Sequence, residues 1–173
     1  MASSVWARIT RILKHRWHDE RDARRAFPND ALARIQTRVA ASERRQSGQI
    51  RICIEAGLPL SYLWRSLAAR DRAITLFGKL RVWDTERNNG VLVYLLLAER
   101  RIEIVADRGL NAHVDAAQWT RVTQTMQQAF REGQFEGGMN AAVDAVSALL
   151  VQHFALRAGE LASNELPDAP LIG

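Results

Sequence analysis

A chain of 173 residues, 47% hydrophobic and 25% charged, is long enough to bury its own core as a single domain. Its one cysteine, Cys53, excludes an internal disulfide, and no apolar run approaches the roughly 18 residues of a membrane span. The formal charge of +5, arginine apart from Lys14 and Lys79, raises an anionic surface as a partner.

Val5, Ile9, Ile12, Leu13 and Trp17 recur at helical spacing, with Trp6 at the edge of the stripe. Arg8, Arg11, Lys14 and Arg16 occupy the rest of that wheel, inside a basic segment spanning residues 1–26. Such a helix suits anionic lipid or a partner subunit, with Trp6, Arg8, Arg11, Lys14, Arg16 and Trp17 as contact residues. Packing of the same stripe on the domain is the structural alternative. Arginines interrupt every N-terminal apolar stretch before a secretory h-region can form, so the expected location is cytoplasmic, peripheral at the inner membrane.

The breaker "FPND" precedes a helix with Asn29 or Asp30 as N-cap, and Leu32, Ile35 and Val39 mark the buried side of that helix, which ends near Arg45. Ile50, Ile52 and Ile54 alternate with Arg51, Cys53 and Glu55, which predicts a strand. A helix is expected from about Ser61 to Phe77, burying Leu63, Leu67, Ile74 and Phe77, with Trp64 and Leu76 widening that face. Val91 to Ala98 is too short and too apolar for a surface helix and reads as a central strand. "AERR" then forces an antiparallel hairpin into "RRIEIVAD". Asp115 and Gln118 form a capping-box pattern ahead of the stripe Trp119, Val122, Met126, Ala129 and Phe130. A last helix carries Met139, Val143, Val146, Leu149, Leu150 and Phe154, and residues 157–173 lack periodicity and are expected to fray.

The order predicts an α/β fold: a three-layer α/β/α sandwich around a mixed sheet with an antiparallel hairpin, the domain proper spanning residues 27–156. Centring the turn between Glu99 and Arg100 sets Asp107 opposite Leu92. One rim then collects Glu43, Asp84, Glu86, Asn88, Asn89 and Asp107. Oxygen-rich rims suit hard cations such as Ca²⁺ or Mg²⁺, which makes Asp84, Asp107, Glu43, Asn88 and Asn89 candidate metal ligands. Equally, Asn-Asn-Gly and Asp-Arg-Gly supply positive φ angles for turns while Asp107 caps local donors. His113 follows the rim and is a candidate for acid–base work or a solvated histidine at a helix start.

Other chemistry is excluded more readily. Cys53 has Pro59, not arginine, six residues on, so it opens no cysteine-phosphatase loop, and no dinucleotide or Walker loop occurs. His15 and His18 share a helix face without cysteine or a third histidine, poor support for zinc. The strands present no aromatic-basic platform, so nucleic acid is not expected as a partner.

The segments "RVWDTERNNGVLVYLLLAERRIEIVADRGL", "FREGQFEGGMNAAVDAVSALL" and "ASERRQSGQIRI" resemble the TPM domain family, in its short, signal-less bacterial subtype, over roughly residues 30–155. The resemblance implies an α/β/α sandwich, with the loops around Asp84 and Asp107, and Glu43 upstream, as the functional edge. It implies weak acid phosphatase activity or divalent cation binding in some members and accessory roles in membrane assemblies in others. By the same resemblance, the partner is an envelope-bound TPM or LemA-type protein. Gln49 departs from the family's common "SGEI", which removes one ligand. The resulting expectation is a non-catalytic binding module docking on a membrane-associated partner; the alternative is a weak divalent-metal-dependent acid phosphatase.

Overall fold

The computed structural model describes residues 2–161 and 163–173. In it a four-stranded sheet of order β3-β2-β1-β4 lies between two helical layers. The central strands are β1 (Gln49–Glu55) and β2 (Gly90–Leu96), paired in parallel and buried at every position. Strand β3 (Arg101–Ala106) runs antiparallel to β2, and β4 (Leu171–Ile172) pairs with β1 in parallel. The mixed sheet with its hairpin is the architecture that the sequence predicts.

Alternation along the strands sorts the core into two faces. Ile50, Ile52, Ile54, Val91, Val93 and Leu95 meet α2 (Glu20–Ala26), α3 (Asn29–Glu43), α7 (Ala116–Arg131) and α8 (Phe135–Phe154). Cys53, Leu92, Tyr94 and Leu96 meet α4 (Leu60–Trp64), α5 (Ala69–Lys79) and Leu166. Burial pushes the Cys53 thiol up to about 12, as for a small core hydrophobe. On this second face Glu55 accepts from the Tyr94 hydroxyl (2.8 Å) and from Arg72 Nε (2.9 Å), so its buried charge is fully partnered.

In two helices the N-terminus is set by a local signal. Asp19 caps α2 and Asp115 caps α7, each through a reciprocal capping box. The 61–77 helix is instead α4 and α5, separated where Ser66 adopts φ +54°. The break rotates the wheel, so Ala69, Ala73 and Leu76 are buried while Trp64 and Ile74 are exposed.

The hairpin is displaced from its predicted register. Leu92 pairs with Val105, not Asp107, because a 3₁₀ turn over Leu97–Glu99, with Arg100 left-handed, moves the turn towards β2. Asp107 instead donates its N–H to Gly90 O (2.9 Å) and caps the short helix α6 (Arg108–Asn111).

Residues 163–173 are not the frayed tail that the sequence suggested. Leu166 is buried, Leu171 and Ile172 pair with Cys53 and Ile54, and Gly173 N–H donates to Ile54 O (2.9 Å). Periodicity could not announce this, because the segment is held through side chains of β1 and a two-residue ladder.

Candidate functional site

Two regions carry the predicted functional residues: α1 (Ala2–Trp17) and the sheet rim. Helix α1 docks by its polar side. Arg8 Nη2 donates to Trp64 O (2.5 Å), Arg11 Nη2 to Leu67 O (2.8 Å) and Arg11 Nε to Glu99 Oε1 (2.9 Å). His15, buried, accepts from Leu58 N–H at Nδ1 (3.0 Å), so Nε2 carries the proton and donates to Glu99 (3.0 Å). The His15 and Arg11 hydrogen bonds hold the Glu99 carboxyl down at about 2.

The outward side is therefore apolar. Trp6, Ile9, Leu13 and Trp17 are 68, 42, 54 and 85% exposed, and Leu60 and Trp64 of α4 add 47 and 63%. Six of the ten exposed large hydrophobics among the described residues thus lie on α1 and α4. Lys14 and Arg16 are exposed and flank the stripe on opposite sides of the wheel. Of the predicted contact residues, Trp6, Lys14, Arg16 and Trp17 face outward, whereas Arg8 and Arg11 serve docking. The side chain of Val5 lies outside what is described. Trp64 and Leu60 were missed, because the spacing around Trp64 reads as a buried helix face until Ser66 breaks it.

At the rim the structure brings Asn88, Asn89 and Asp107 together. Asn88, at φ +52°, accepts from Gly109 N–H at its backbone oxygen (2.8 Å) and from Arg108 Nε at Oδ1 (3.1 Å). Asn89, fully buried, donates its N–H to Thr85 Oγ1 (3.1 Å) and its side-chain amide to Ser47 Oγ (3.3 Å). Asp107 Oδ1 accepts from Arg108 N–H (2.7 Å). Asn89 Oδ1 and Asp107 Oδ2 are buried with no partner, as are Gln46 Nε2 and His153 Nε2. His153 stacks on His113 at 5.0 Å, and Ser47 N–H donates to Phe154 O (2.9 Å), which sets these groups at the same end of the sheet. Uncommitted buried oxygens are uncommon and mark sites for an ion, water or ligand.

The other rim carboxylates are engaged elsewhere. Asp84 is exposed and lies 3.9 Å from Arg81, and Glu86 is exposed, its backbone N–H donating to Glu165 Oε2 (2.9 Å). Glu43 is buried and accepts from Ile50 N–H (2.8 Å); burial, and the Asp168 carboxylate beside it, push it up to about 8. Among the described residues no group of three or more His, Cys, Asp or Glu side chains could hold a metal. No described helix is long and apolar enough to cross a membrane.

The fold is similar to that of BA42 from the psychrophilic bacterium Bizionia argentinensis, solved by NMR, at a TM-score of 0.72 and 24% identity over 83% of this chain and 93% of BA42. It is also similar to the N-terminal domain of a P. gingivalis protein, at a TM-score of 0.54 and 22% identity over 75% of this chain and 81% of that one. At these identities the likeness speaks for the fold alone. No curated protein matches the chain. The TPM domain matches residues 21–149, which include the hairpin, the rim and α8 up to Leu149. On that match, which covers most of its length, the chain belongs to the TPM domain family.

Proposed function

We propose that the protein is a non-catalytic binding module that docks at an anionic membrane surface, where its partner resides, through the outward face of α1. The observation that carries this reading is the concentration of exposed Trp6, Ile9, Leu13, Trp17, Leu60 and Trp64 on two adjacent helices. Tryptophan seats its amphipathic ring at the headgroup level, and lysine and arginine beside it meet anionic lipid. Docking of α1 by Arg8, Arg11 and His15 leaves that stripe free and holds the helix flat against the domain.

The test is co-sedimentation with phosphatidylglycerol-containing and pure phosphatidylcholine vesicles, comparing the full chain with a Trp6→Ala, Leu13→Ala, Trp17→Ala triple variant. The full chain is expected to bind the anionic vesicles, and the triple variant to bind at least ~10-fold more weakly, since each lost apolar side chain removes buried area at the interface. The replaced side chains are exposed, so the variant keeps its fold. No vesicle binding, or equal binding by both proteins, ends the reading.

A second reading, a weak divalent-metal-dependent acid phosphatase, is favoured by one observation: the unpartnered Asn89 Oδ1 and Asp107 Oδ2 at the rim. Oxygen donors of this kind fit Ca²⁺ or Mg²⁺, although a single close carboxylate makes a weak site. A bound cation supplies polarisation of a phosphate oxygen, and Arg108, on the Asn88 side chain, stands ready to orient the phosphate. Titrating Mg²⁺ and Ca²⁺ should then move the Asn89, Gly90 and Asp107 amide signals, and Asp107→Asn should weaken that response ~10-fold or more. Signals that stay still at millimolar metal rule the phosphatase out.

A further inference from the structure

Residues 163–173 meet the sheet as a bound peptide would. Gln49, fully buried, commits its side-chain amide to this segment: Oε1 accepts from Glu165 N–H (2.8 Å) and Leu166 N–H (2.9 Å), and Nε2 donates to Ser163 O (2.8 Å). Arg51 Nη1 donates to Pro167 O and Ala169 O, both at 2.6 Å. Leu166 is buried in the cluster that holds Cys53, Leu58 and Tyr94, and the half-buried Ile172 packs against the core on the opposite face of the sheet. Leu171 and Ile172 then extend the sheet beside Cys53 and Ile54, and Ala56 N–H donates to Gly173 O (3.2 Å). An edge-strand ladder, polar side chains reading backbone carbonyls and one apolar pocket are the devices by which folded domains capture extended peptides.

The attachment is otherwise slight. The ladder is two residues long, and Ser163, Asn164, Glu165, Pro167, Ala169 and Leu171 are exposed. An exposed turn, with Gly159 at φ +84° and Leu161 91% exposed, joins the segment to α8. Asp168 of this segment sits beside the buried Glu43 carboxyl, an unfavourable neighbour for a carboxylate. Local stability follows the number of buried apolar contacts, and this segment has one buried side chain against the fully buried ladders of β1 and β2.

We propose that the β1 edge is a peptide-binding groove, filled in cis by residues 163–173, that exchanges this segment for an extended partner peptide of the same chemistry. That peptide presents a leucine to the Leu166 pocket, backbone carbonyls to Arg51 and to Gln49 Nε2, two adjacent backbone N–H groups to Gln49 Oε1, and a following apolar pair to β1. The groove adjoins both other sites, since Glu86 N–H at the rim donates to Glu165 Oε2 (2.9 Å) and Gly173 lines a cavity with Arg16 and Leu60, but the peptide test needs neither lipid nor metal.

The experiment uses the full chain with a specific protease sequence inserted after Leu161. After cutting, a fluorescent peptide of the sequence Ser163–Gly173 is added and its anisotropy followed, with circular dichroism recorded before and after cleavage. The labelled peptide should exchange into the groove with micromolar affinity, weakened at least ~10-fold by Arg51→Ala in the protein or Leu166→Asp in the peptide. In the uncut chain, the Leu166, Ile172 and Gly173 amides should exchange hydrogen at least ~100-fold faster than those of Val93 and Ile52. Loss of fold on cutting, failure of the labelled peptide to enter, equal binding to Arg51→Ala, or equal amide protection each overturns the proposal.

Discussion

Glu43 ends α3 with its carboxyl buried against β1, one oxygen held by the Ile50 N–H (2.8 Å) and Asp168 alongside. The folded chain keeps that proton up to about pH 8, whereas an unfolded chain releases it near 4.5. The native state therefore binds the extra proton between those values, and stability falls as pH rises through that window. At 1.36 kcal/mol per pH unit, discounted for relaxation of the buried group, the loss is on the order of 2–4 kcal/mol by pH 8. Glu43→Gln keeps the acceptor for Ile50 and removes the ionisation. Urea unfolding should show the variant about 1–3 kcal/mol more stable at pH 8 and nearly flat between pH 5 and 8. A variant with the slope of the native chain disproves this assignment. Glu99 is the opposite case: partnered by His15 and Arg11, it contributes stability above pH 4.5 that is lost towards pH 2.

Among the elements, the hairpin shows how turn chemistry misleads when read by residue type alone. Asn-Asn-Gly supplies a positive φ for the turn, but through Asn88 and not through Gly90. Gly90 is required for approach instead, since a Cβ there would stand 1.9 Å from Val82 O. Gly90→Ala must push the Val82 backbone away from β2, and a loss of about 2–4 kcal/mol is expected in thermal or urea unfolding, the range for overpacking against backbone. Wild-type stability in that variant sinks the argument. Helix α1 gives a second case. Its wheel was legible, but its orientation was not, because Arg8, Arg11 and His15 found acceptors and a donor in α4, its flanking loops and the hairpin turn.

Over the whole molecule, the two central strands are closed off on either side by different means. The β2 side is extended by β3, its neighbour in sequence, as the short "AERR" turn required. The β1 side is closed by β4, from residues more than 100 positions away, anchored through Gln49 and Arg51. Gln49 looked like the loss of one metal ligand; in the structure its amide, with both donor and acceptor, is what holds Ser163, Glu165 and Leu166. Asn88, Asn89 and Asp107 sit near one another through the hairpin, while Glu43 and Asp84 turn to Ile50 and Arg81.

By itself the sequence determined the strand and helix periods, the Asp115 capping box, the hairpin and hence the mixed α/β sheet, because each depends on residues a few positions apart. Only the tertiary structure decided which face of α1 is free, what Glu43 touches and where residues 163–173 go. Those outcomes rest on pairings such as His15 with Leu58 and Gln49 with Glu165, 43 and 116 residues apart, which no local pattern encodes.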